Sequence, residues 1–298
     1  MIESVLVDFS IHYTIVIPPN KYTPFYEIAL PLYHCMLDKG YSVDICIETP
    51  NFADNIFYIL YAPDVYNVFP KNCVLYQLEQ LEARFESIPN VVKDFIKRIK
   101  KQNIWEFSHR NIEFLNTFGC KKVIYMPLRY HNVITFPRFF NDRKTPILFY
   151  GILTERRVEL MKQMSDTLKG NISLCTSGLN TETNKFEGMW NNYHISNGEL
   201  KFDRARLLTN TIIGLCLYSH TLERSTFDIA RILFFMANEV LVISERTNNV
   251  EEKEFEPYIV FVDSLDEIEE KCKYYLLNAK ERVAKVESAL KFIKTLTY

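Results

Sequence analysis

The stretch from Glu223 to Glu245, "ERSTFDIARILFFMANEVLVISE", contains the pattern that decides the fold. Its middle has the apolar character of a buried helix, and it runs directly into "EVLVIS", an apolar run typical of a buried strand. Ser225 to Asp228 read S-x-x-D, which is a capping box, so we expect the helix to begin at about Thr226. A buried helix that leads into a buried strand is the repeating unit of an α/β sheet.

Strand and helix patterns alternate along the rest of the chain. In the first half, strands are predicted at "TIVI", "YSVDICIE", the segment Cys73–Gln77 and "KKVIYMP", and Ser108 is expected to cap a helix. The pattern lapses between Leu128 and Thr145. It then restarts with the strand "PILFYG", a single helix over "TERRVELMKQMSDTLKG", and the strands "ISLCTSG", "TIIGLCLY", "EVLVIS" and "IVFVD". We therefore predict two α/β domains with mainly parallel sheets, joined by a linker.

The composition limits the classes of function. The chain has 298 residues, 48% of them hydrophobic and 24% charged, with a net charge of -2, so a globular protein is expected and nucleic acid is not an expected partner. Seven cysteines are scattered singly, without a CxxC pair, which favours free thiols in a reducing compartment. The beginning, "MIESVLVDFS", lacks the pattern of a signal peptide, and no apolar stretch is long enough to span a bilayer. We predict a cytoplasmic location.

Arg231 is the unusual residue of the opening stretch, because it lies in a helix that is otherwise apolar on nearly every side. A buried guanidinium must be paired or bound to a ligand. One interpretation is a structural ion pair with Asp228 or Glu245. The other is an anion, such as a phosphate, at the start of the helix around Ser225 and Thr226, because ligands of open α/β sheets bind outside the carboxyl ends of the strands.

A second candidate for anion binding is "FYGILTERRVELM". Gly151 ends a strand, and Arg156 and Arg157 follow in the first turn of the next helix. Cations early in a helix oppose its dipole, a cost that a bound diphosphate would offset. A solvated helix start explains the same residues equally well. No glycine-rich phosphate loop occurs among the eight glycines, so a phosphate site here must use other groups.

Several segments of the chain, together with their order, resemble the GT-B class of nucleotide-sugar glycosyltransferases, particularly a branch found in large DNA viruses and bacteria. In the second half, the pattern of strand, glycine, loop and two arginines is followed by a glutamate, seven residues, an Arg-Ile pair and a strand that ends in Ser-Glu. Glu223, Arg231, Ile232, Ser244 and Glu245 fit that pattern. The other matching segments are "VLYQLEQ", "NIWEFSHRNIEFL", "VIYMPLRY" and "IVFVDSLDEI".

The resemblance implies two Rossmann-like domains facing across a cleft. It implies an acceptor-side domain at 1–135, a domain at 136–282 that binds the nucleotide sugar, and a final helix at 283–298 that packs back on the first domain. The donor would be bound by Arg156, Glu223, Ser225, Thr226, Arg231 and Glu245. No cofactor and no metal ion is expected, because helix N-termini and arginines would stabilise the diphosphate. If the protein is viral, the expected location is the host cytoplasm.

The catalytic base is open at this point. Glu79, at the end of a strand, and His109, just inside a capped helix, are the candidates for an inverting reaction, and a retaining reaction needs neither. Many such enzymes carry a second glutamate that binds the ribose, whereas this chain has Phe234 and Phe235 in that helix. A non-catalytic scaffold with the same fold is therefore the alternative function. The acceptor is not identified, and transfer to a modified DNA base is a further possibility that the balanced charge disfavours.

Overall fold

The computed structural model describes residues 10–19, 22–47, 51–138, 142–176, 194–197 and 201–298. The chain divides into two compact units. Unit 1 comprises Met1–Ile134, Asn249–Glu251 and Leu296–Tyr298, and unit 2 comprises Thr135–Asn248 and Glu252–Thr295. Within the described ranges, no helix has both the length and the apolar character needed to cross a membrane.

Unit 1 is built on a parallel sheet with the strand order β2-β1-β3-β4-β5-β6. Its strands are β1 (His12–Val16), β2 (Ser42–Cys46), β3 (Ile56–Tyr61), β4 (Cys73–Gln77), β5 (Asn103–Glu106) and β6 (Val123–Tyr125). Its helices are α1 (Tyr22–Asp38), α2 (Leu81–Ser87), α3 (Pro89–Ile99) and α4 (His109–Thr117).

Unit 2 is built on a second parallel sheet with the order β12-β11-β10-β7-β8-β9. Its strands are β7 (Thr145–Tyr150), β8 (Ile172–Thr176), β9 (His194–Asn197), β10 (Thr211–Cys216), β11 (Leu241–Glu245) and β12 (Val260–Val262). Its helices are α5 (Glu155–Gln163), α6 (Asp166–Lys169), α7 (Lys201–Asn210), α8 (Ile229–Ala237), α9 (Glu252–Phe255), α10 (Leu265–Leu277) and α11 (Ala279–Ile293).

The expected fold class, two Rossmann-like α/β domains, is confirmed. The central strands are buried on both faces, which explains why they read as continuous apolar runs without alternation. The strand order reverses between β7 and β10 in unit 2, and between β1 and β3 in unit 1. Such a reversal opens a crevice at the carboxyl ends of the two strands, where α/β sheets bind ligands.

Several elements differ from the sequence expectations. β3 is not predicted by the sequence. The residues "NIWE" form the separate strand β5, although the sequence pattern joins them to the following helix. The single helix predicted after β7 is two helices, because Met164 is extended and the Ser165 hydroxyl accepts a hydrogen bond from the Leu168 amide at the start of α6. Most of the irregular stretch expected before Gly198 lies outside the described residues, apart from β9.

The last helix and the residues that follow it belong to different units. α11 belongs to unit 2, where it packs against α8, and Val286 of α11 is part of the core of that unit. Leu296–Tyr298 belong to unit 1, where the Tyr130 amide donates to the Leu296 carbonyl at 2.7 Å. α11 is thus an element of unit 2, whereas the last three residues of the chain belong to unit 1. That the 283–298 helix packs back on the first domain stays a prediction.

Gly214, in the middle of β10, is required by a close approach of α8 to the sheet. A Cβ atom at this position would lie 2.5 Å from the ring of Phe235, which is closer than any real contact. The Phe235 side chain is fully buried and has no free space to move into. The sheet and α8 can pack at this distance only because residue 214 has no side chain.

We expect Gly214→Ala to destabilise the protein by about 1–3 kcal/mol, because the added methyl group forces Phe235 out of its position. The melting temperature measured by calorimetry checks this. Gly170→Ala is the matched control, since a Cβ there would meet its nearest atom at 3.5 Å, an ordinary contact. Equal melting temperatures for the two variants would contradict the close packing.

Candidate functional site

The candidate site of unit 2 is the carboxyl edge of its sheet, where the strand order reverses. β7 ends there and leads through Gly151 into the loop before α5, and Leu217 and Tyr218 follow β10 at the same edge. Glu245 is the last residue of β11, which pairs with β10. The arginines of α5 and Arg231 of α8 reach this edge, so three of the predicted donor-binding residues, Arg156, Arg231 and Glu245, lie together here.

Arg157, which the sequence analysis did not select as a donor-binding residue, is the most deeply buried cation at this edge. Its side chain is at position N3 of α5, its residue is 5% exposed, and it donates from Nε to the Leu217 carbonyl at 2.9 Å and from Nη1 to the Ile152 carbonyl at 2.7 Å. Burial, together with the nearby charge of Arg231, lowers the pKa of Arg157 to about 9. In the described part of the chain it forms no ion pair with a carboxylate.

For Arg231 the structure shows the ion pair with Asp228, and the bound anion stays a prediction. Arg231 pairs with Asp228, with Nη2 3.1 Å from Oδ2, and Nη1 lies 3.4 Å from the Leu217 carbonyl. Its Nε is buried and has no hydrogen-bond partner among the described residues. Burial lowers the pKa of Arg231, but the Asp228 carboxylate and other nearby groups outweigh it, so the net shift is upward. The cation is held by one acid and keeps one donor unused.

Arg156 is bound to Glu245 and is not solvated as a simple helix start would be. Its two terminal nitrogens donate to the two carboxylate oxygens at 2.9 and 2.6 Å, and Nη1 also donates to the Tyr218 carbonyl at 2.8 Å. The Tyr218 amide donates to the same carboxylate at 2.7 Å. This fork joins the start of α5 to the ends of β10 and β11, so Arg156 and Glu245 fix the edge of the sheet.

Gly151 lets two of the guanidiniums approach the backbone. Its φ of 144° is in the region that favours glycine, and a Cβ there would lie 3.1 Å from Nη2 of Arg231 and 3.5 Å from Nη1 of Arg157. A single glycine at the end of β7 thus does what a glycine-rich loop does elsewhere: it allows a charged group close to the main chain.

The predicted start of α8 is wrong by two to three residues. The N-cap is Asp228, whose carboxylate accepts the Arg231 amide, and the helix begins at Ile229. Ser225 and Thr226 are buried before it, and the Ser225 hydroxyl donates to the Thr221 carbonyl at 2.9 Å. The helix start that was expected to bind a phosphate is therefore occupied by the protein's own carboxylate. Glu223 lies apart from it, exposed in a short 3-10 turn, Leu222–Arg224.

The charges of this edge do not cancel. Three guanidiniums, those of Arg156, Arg157 and Arg231, face two carboxylates, those of Asp228 and Glu245. Among the described side chains named here, one positive charge is left over in a largely buried setting, where an uncompensated charge is costly. Binding of an anion would relieve that cost.

The corresponding edge of unit 1 contains a buried acid that sequence reasoning missed. Glu106, the last residue of β5, is 0% exposed and accepts hydrogen bonds from Asn111 Nδ2 at 3.1 Å, Gln77 Nε2 at 3.2 Å and the Ser108 amide at 3.2 Å. Burial raises the pKa of Glu106 well above its ordinary value, and these hydrogen bonds lower it only in part. The available signal was the polar residue that ends each of the apolar runs "VLYQ" and "NIWE".

The two candidate bases lie close to this buried acid in unit 1. The backbone of Glu79 is held on both sides, because Gln77 Oε1 accepts from its amide and both Gln77 and Asn111 donate to its carbonyl. Its carboxylate pairs with Arg84 at 3.1 Å. His109 is exposed at the first position of α4, and its ring stacks on Tyr125 with the centroids 4.0 Å apart. Glu79 is thus the more rigidly placed of the two.

Comparison with known proteins gives structural likeness without sequence likeness. No family model and no curated protein matches the chain. Among solved structures, it is similar to an α-glucosyltransferase in complex with UDP-glucose and DNA containing an abasic site, with a TM-score of 0.66, 11% identity and 96% and 95% of the two chains covered. It is also similar to WaaG, a glycosyltransferase involved in lipopolysaccharide biosynthesis, with a TM-score of 0.61, 11% identity and 95% of each chain covered.

A third similar structure is Anabaena HepE in complex with UDP and glucose, with a TM-score of 0.61 and 8% identity, covering 96% of this chain and 95% of that one. These neighbours are GT-B glycosyltransferases. At such low identity the likeness shows the fold, and it extends over nearly the whole chain. Membership in the viral or bacterial branch that the motifs resemble stays a prediction.

No group of three or more His, Cys, Asp or Glu side chains with the spacing of a metal site occurs among the residues that the structure describes. The expectation that no cofactor or metal is used stays a prediction, since it concerns the reaction and not the fold alone.

Glu106 generates a prediction about pH. Because its pKa is raised in the folded state, the folded protein holds this proton more tightly than the unfolded chain, and the free energy of unfolding falls as the pH rises above about 4. In Glu106→Gln this contribution is absent. The melting temperature of the variant, relative to the unmodified protein, should therefore increase steadily from acidic to neutral pH; a constant or decreasing difference would contradict the raised pKa.

Proposed function

We propose that this protein is a glycosyltransferase that moves a sugar from a nucleoside-diphosphate donor to an acceptor, with the diphosphate bound at the carboxyl edge of the unit 2 sheet. The observation that carries the proposal is the guanidinium of Arg157, which has no carboxylate partner among the described residues and lies near Arg231 and Gly151. The fold supports it, since similar structures carry UDP or UDP-glucose.

In this proposal the arginines have different roles. Arg157 and Arg231 face the leaving diphosphate, because Arg157 forms no ion pair in the described residues and Arg231 has the unused Nε. Arg156 and Glu245 hold the strand ends in place through their fork. Glu223, Ser225 and Thr226, on the segment that leads into α8, remain candidates for the sugar or ribose end of the donor.

Transfer without a metal ion is part of the proposal. A sugar leaves a nucleoside diphosphate when the developing charge on the phosphate oxygens is stabilised, and fixed guanidiniums in a buried setting provide that stabilisation. The surplus positive charge of the unit 2 edge is placed where this charge would develop.

For the acceptor side we propose Glu79 as the base of an inverting reaction, with His109 as the alternative. The support for Glu79 is that its backbone is held by Gln77 and Asn111, which are both bonded to the buried Glu106. A base must stay within hydrogen-bond reach of the acceptor hydroxyl, which a loop anchored in this way allows. A retaining reaction would use the same donor site without this base.

The cellular setting is also proposed. All seven cysteines are free, and five of them are buried, which fits a reducing cytoplasm, or the host cytoplasm if the protein is viral. The acceptor is unidentified. Modified DNA is a second candidate, supported by the likeness to an α-glucosyltransferase in complex with DNA. A gel-shift with duplex DNA at low salt tests it, because phosphate contacts are strongest there.

Arg157→Gln and Arg231→Gln should each weaken the binding of nucleoside diphosphates about tenfold or more, since each removes a charge-assisted hydrogen bond. Calorimetric titration with UDP, GDP and ADP measures this. The matched control is Arg282→Gln, because Arg282 also donates to two backbone carbonyls, those of Tyr275 and Leu276, but lies in the first turn of α11. Equal affinities in all variants would remove the donor site from this edge.

Measuring the release of nucleoside diphosphate distinguishes a glycosyltransferase from a non-catalytic scaffold with the same fold. With a panel of nucleotide sugars, the protein should release nucleoside diphosphate, slowly by hydrolysis and faster when an acceptor is present. Glu79→Gln should lower the rate of an inverting transfer roughly a hundredfold at unchanged diphosphate affinity, because it removes the base and leaves the donor site intact. Diphosphate binding without any release would identify a scaffold, and a rate that falls in His109→Ala but not in Glu79→Gln would transfer the role of base.

A further inference from the structure

The amino edge of the unit 1 sheet carries a set of exposed lysines that the proposed function does not use. The strands β4, β5 and β6 are adjacent and parallel, and an exposed lysine stands two residues before the first residue of each. These are Lys71, Lys101 and Lys121. Adjacent strands lie about 5 Å apart, so the three residues are close neighbours along the edge.

Helix α3 adds to this set. Lys93, Lys97 and Lys100 follow one another at spacings of four and three residues, so they share the exposed face of the helix. Lys100 Nζ lies 3.0 Å from the place that a Cβ on Gly119 would take, so the end of α3 lies against the loop before β6. The lysine patch defined by these contacts comprises Lys71, Lys93, Lys97, Lys100, Lys101, Lys121 and Lys122.

The patch is strongly charged compared with the rest of the chain. The segments 67–72, 91–101 and 119–122, which form it, contain eight cationic residues and one acidic residue, Asp94, whereas the whole chain has a net charge of -2. Asp94 pairs with Lys97 at 3.1 Å on the exposed surface. The remaining lysines therefore present an excess of positive charge in one place, which favours an anionic surface as partner.

Exposed apolar side chains border the patch. Val91 in the first turn of α3 is 58% exposed, and Ile88, the residue before the helix, is exposed as well. Val68 is 74% exposed and lies beside the same helix, because Arg98 of α3 donates to the Asn67 side chain and to the carbonyl of Asp64. The phosphate backbone of a nucleic acid provides no apolar surface for such side chains, whereas the surface of a bilayer binds lysines and also takes up small apolar groups.

We propose that α3 and the lysine patch dock unit 1 on an anionic lipid bilayer, with Val68, Ile88 and Val91 inserted at the level of the headgroups. The patch lies at the amino edge of strands whose carboxyl edge bears Gln77 and Glu106, roughly 15 Å away along the strands. A bilayer bound there leaves the edge with the candidate base uncovered, so docking and catalysis use different surfaces of this unit.

The full-length protein should sediment with vesicles of phosphatidylcholine and phosphatidylglycerol mixed equally, but not with vesicles of phosphatidylcholine alone. Because each lysine at an anionic surface contributes severalfold to binding, we expect the triple variant Lys97→Glu, Lys101→Glu, Lys121→Glu to lose at least about tenfold in affinity. Raising the salt concentration should release the unmodified protein, since surface attraction is screened.

The matched control is a triple variant of exposed lysines in unit 2, Lys273→Glu, Lys280→Glu and Lys291→Glu, which changes the net charge equally and should bind vesicles like the unmodified protein. Val91→Ser should weaken vesicle binding, without the charge being altered. The proposal is overturned if the mixed vesicles retain no protein, or if the control loses as much as the patch variant. Binding to duplex DNA but not to vesicles at the same salt concentration would also overturn it, and loss of that DNA binding in the patch variant but not in the control would assign the patch to nucleic acid.

Discussion

The carbonyl of Leu217, just beyond β10, is the point on which the unit 2 edge depends. It accepts a hydrogen bond from Arg157 Nε at 2.9 Å and faces Arg231 Nη1 at 3.4 Å, so one backbone oxygen joins α5, β10 and α8. Residue 151 has no Cβ, which leaves room for Nη2 of Arg231 at 3.1 Å from the place that a Cβ would take. Burial, and after it the nearby charge of Arg231, lowers the pKa of Arg157. An anion bound here would stabilise both cations, as the proposed function requires.

The carboxyl edges of the two sheets bear charged groups of opposite sign. Unit 2 keeps surplus cations at the carboxyl edge of its sheet, and unit 1 keeps a buried acid, Glu106, there. Among the described residues Glu106 has no cationic partner, and it accepts hydrogen bonds from Gln77, Asn111 and the Ser108 amide. Gln77 and Asn111 also donate to the carbonyl of Glu79, so they connect the buried acid to that loop. Buried polar networks of this kind fix one backbone conformation, which a loop that holds a reactive group requires.

Much of the fold could be predicted, and the failures have physical causes. Apolar runs of five or six residues mark most strands of both sheets, because strands buried on both faces exclude polar side chains. The sequence does not predict β5 as a separate strand, because "NIWE" is short, ends in an acid and stands directly before a helix. The sequence does not predict the break between α5 and α6 at Ser165, because the helical pattern continues through it. The start of α6 is marked by its cap at Ser165. The N-cap of α8 was misplaced because Ser225 and Asp228 are both good capping residues.

The sequence by itself determined the α/β class, the gathering of Arg156, Arg231 and Glu245 at one edge, and the need of a buried guanidinium for a partner. Only the tertiary structure decided which groups are the partners: Asp228 for Arg231, Glu245 for Arg156, and, among the described residues, two backbone carbonyls and no carboxylate for Arg157. Periodicity places a residue on a strand end or a helix turn, because that follows from local geometry. Which of several acids and carbonyls it then meets depends on strand order and on the spacing that Gly151 permits, and both are set by contacts between residues distant in the chain.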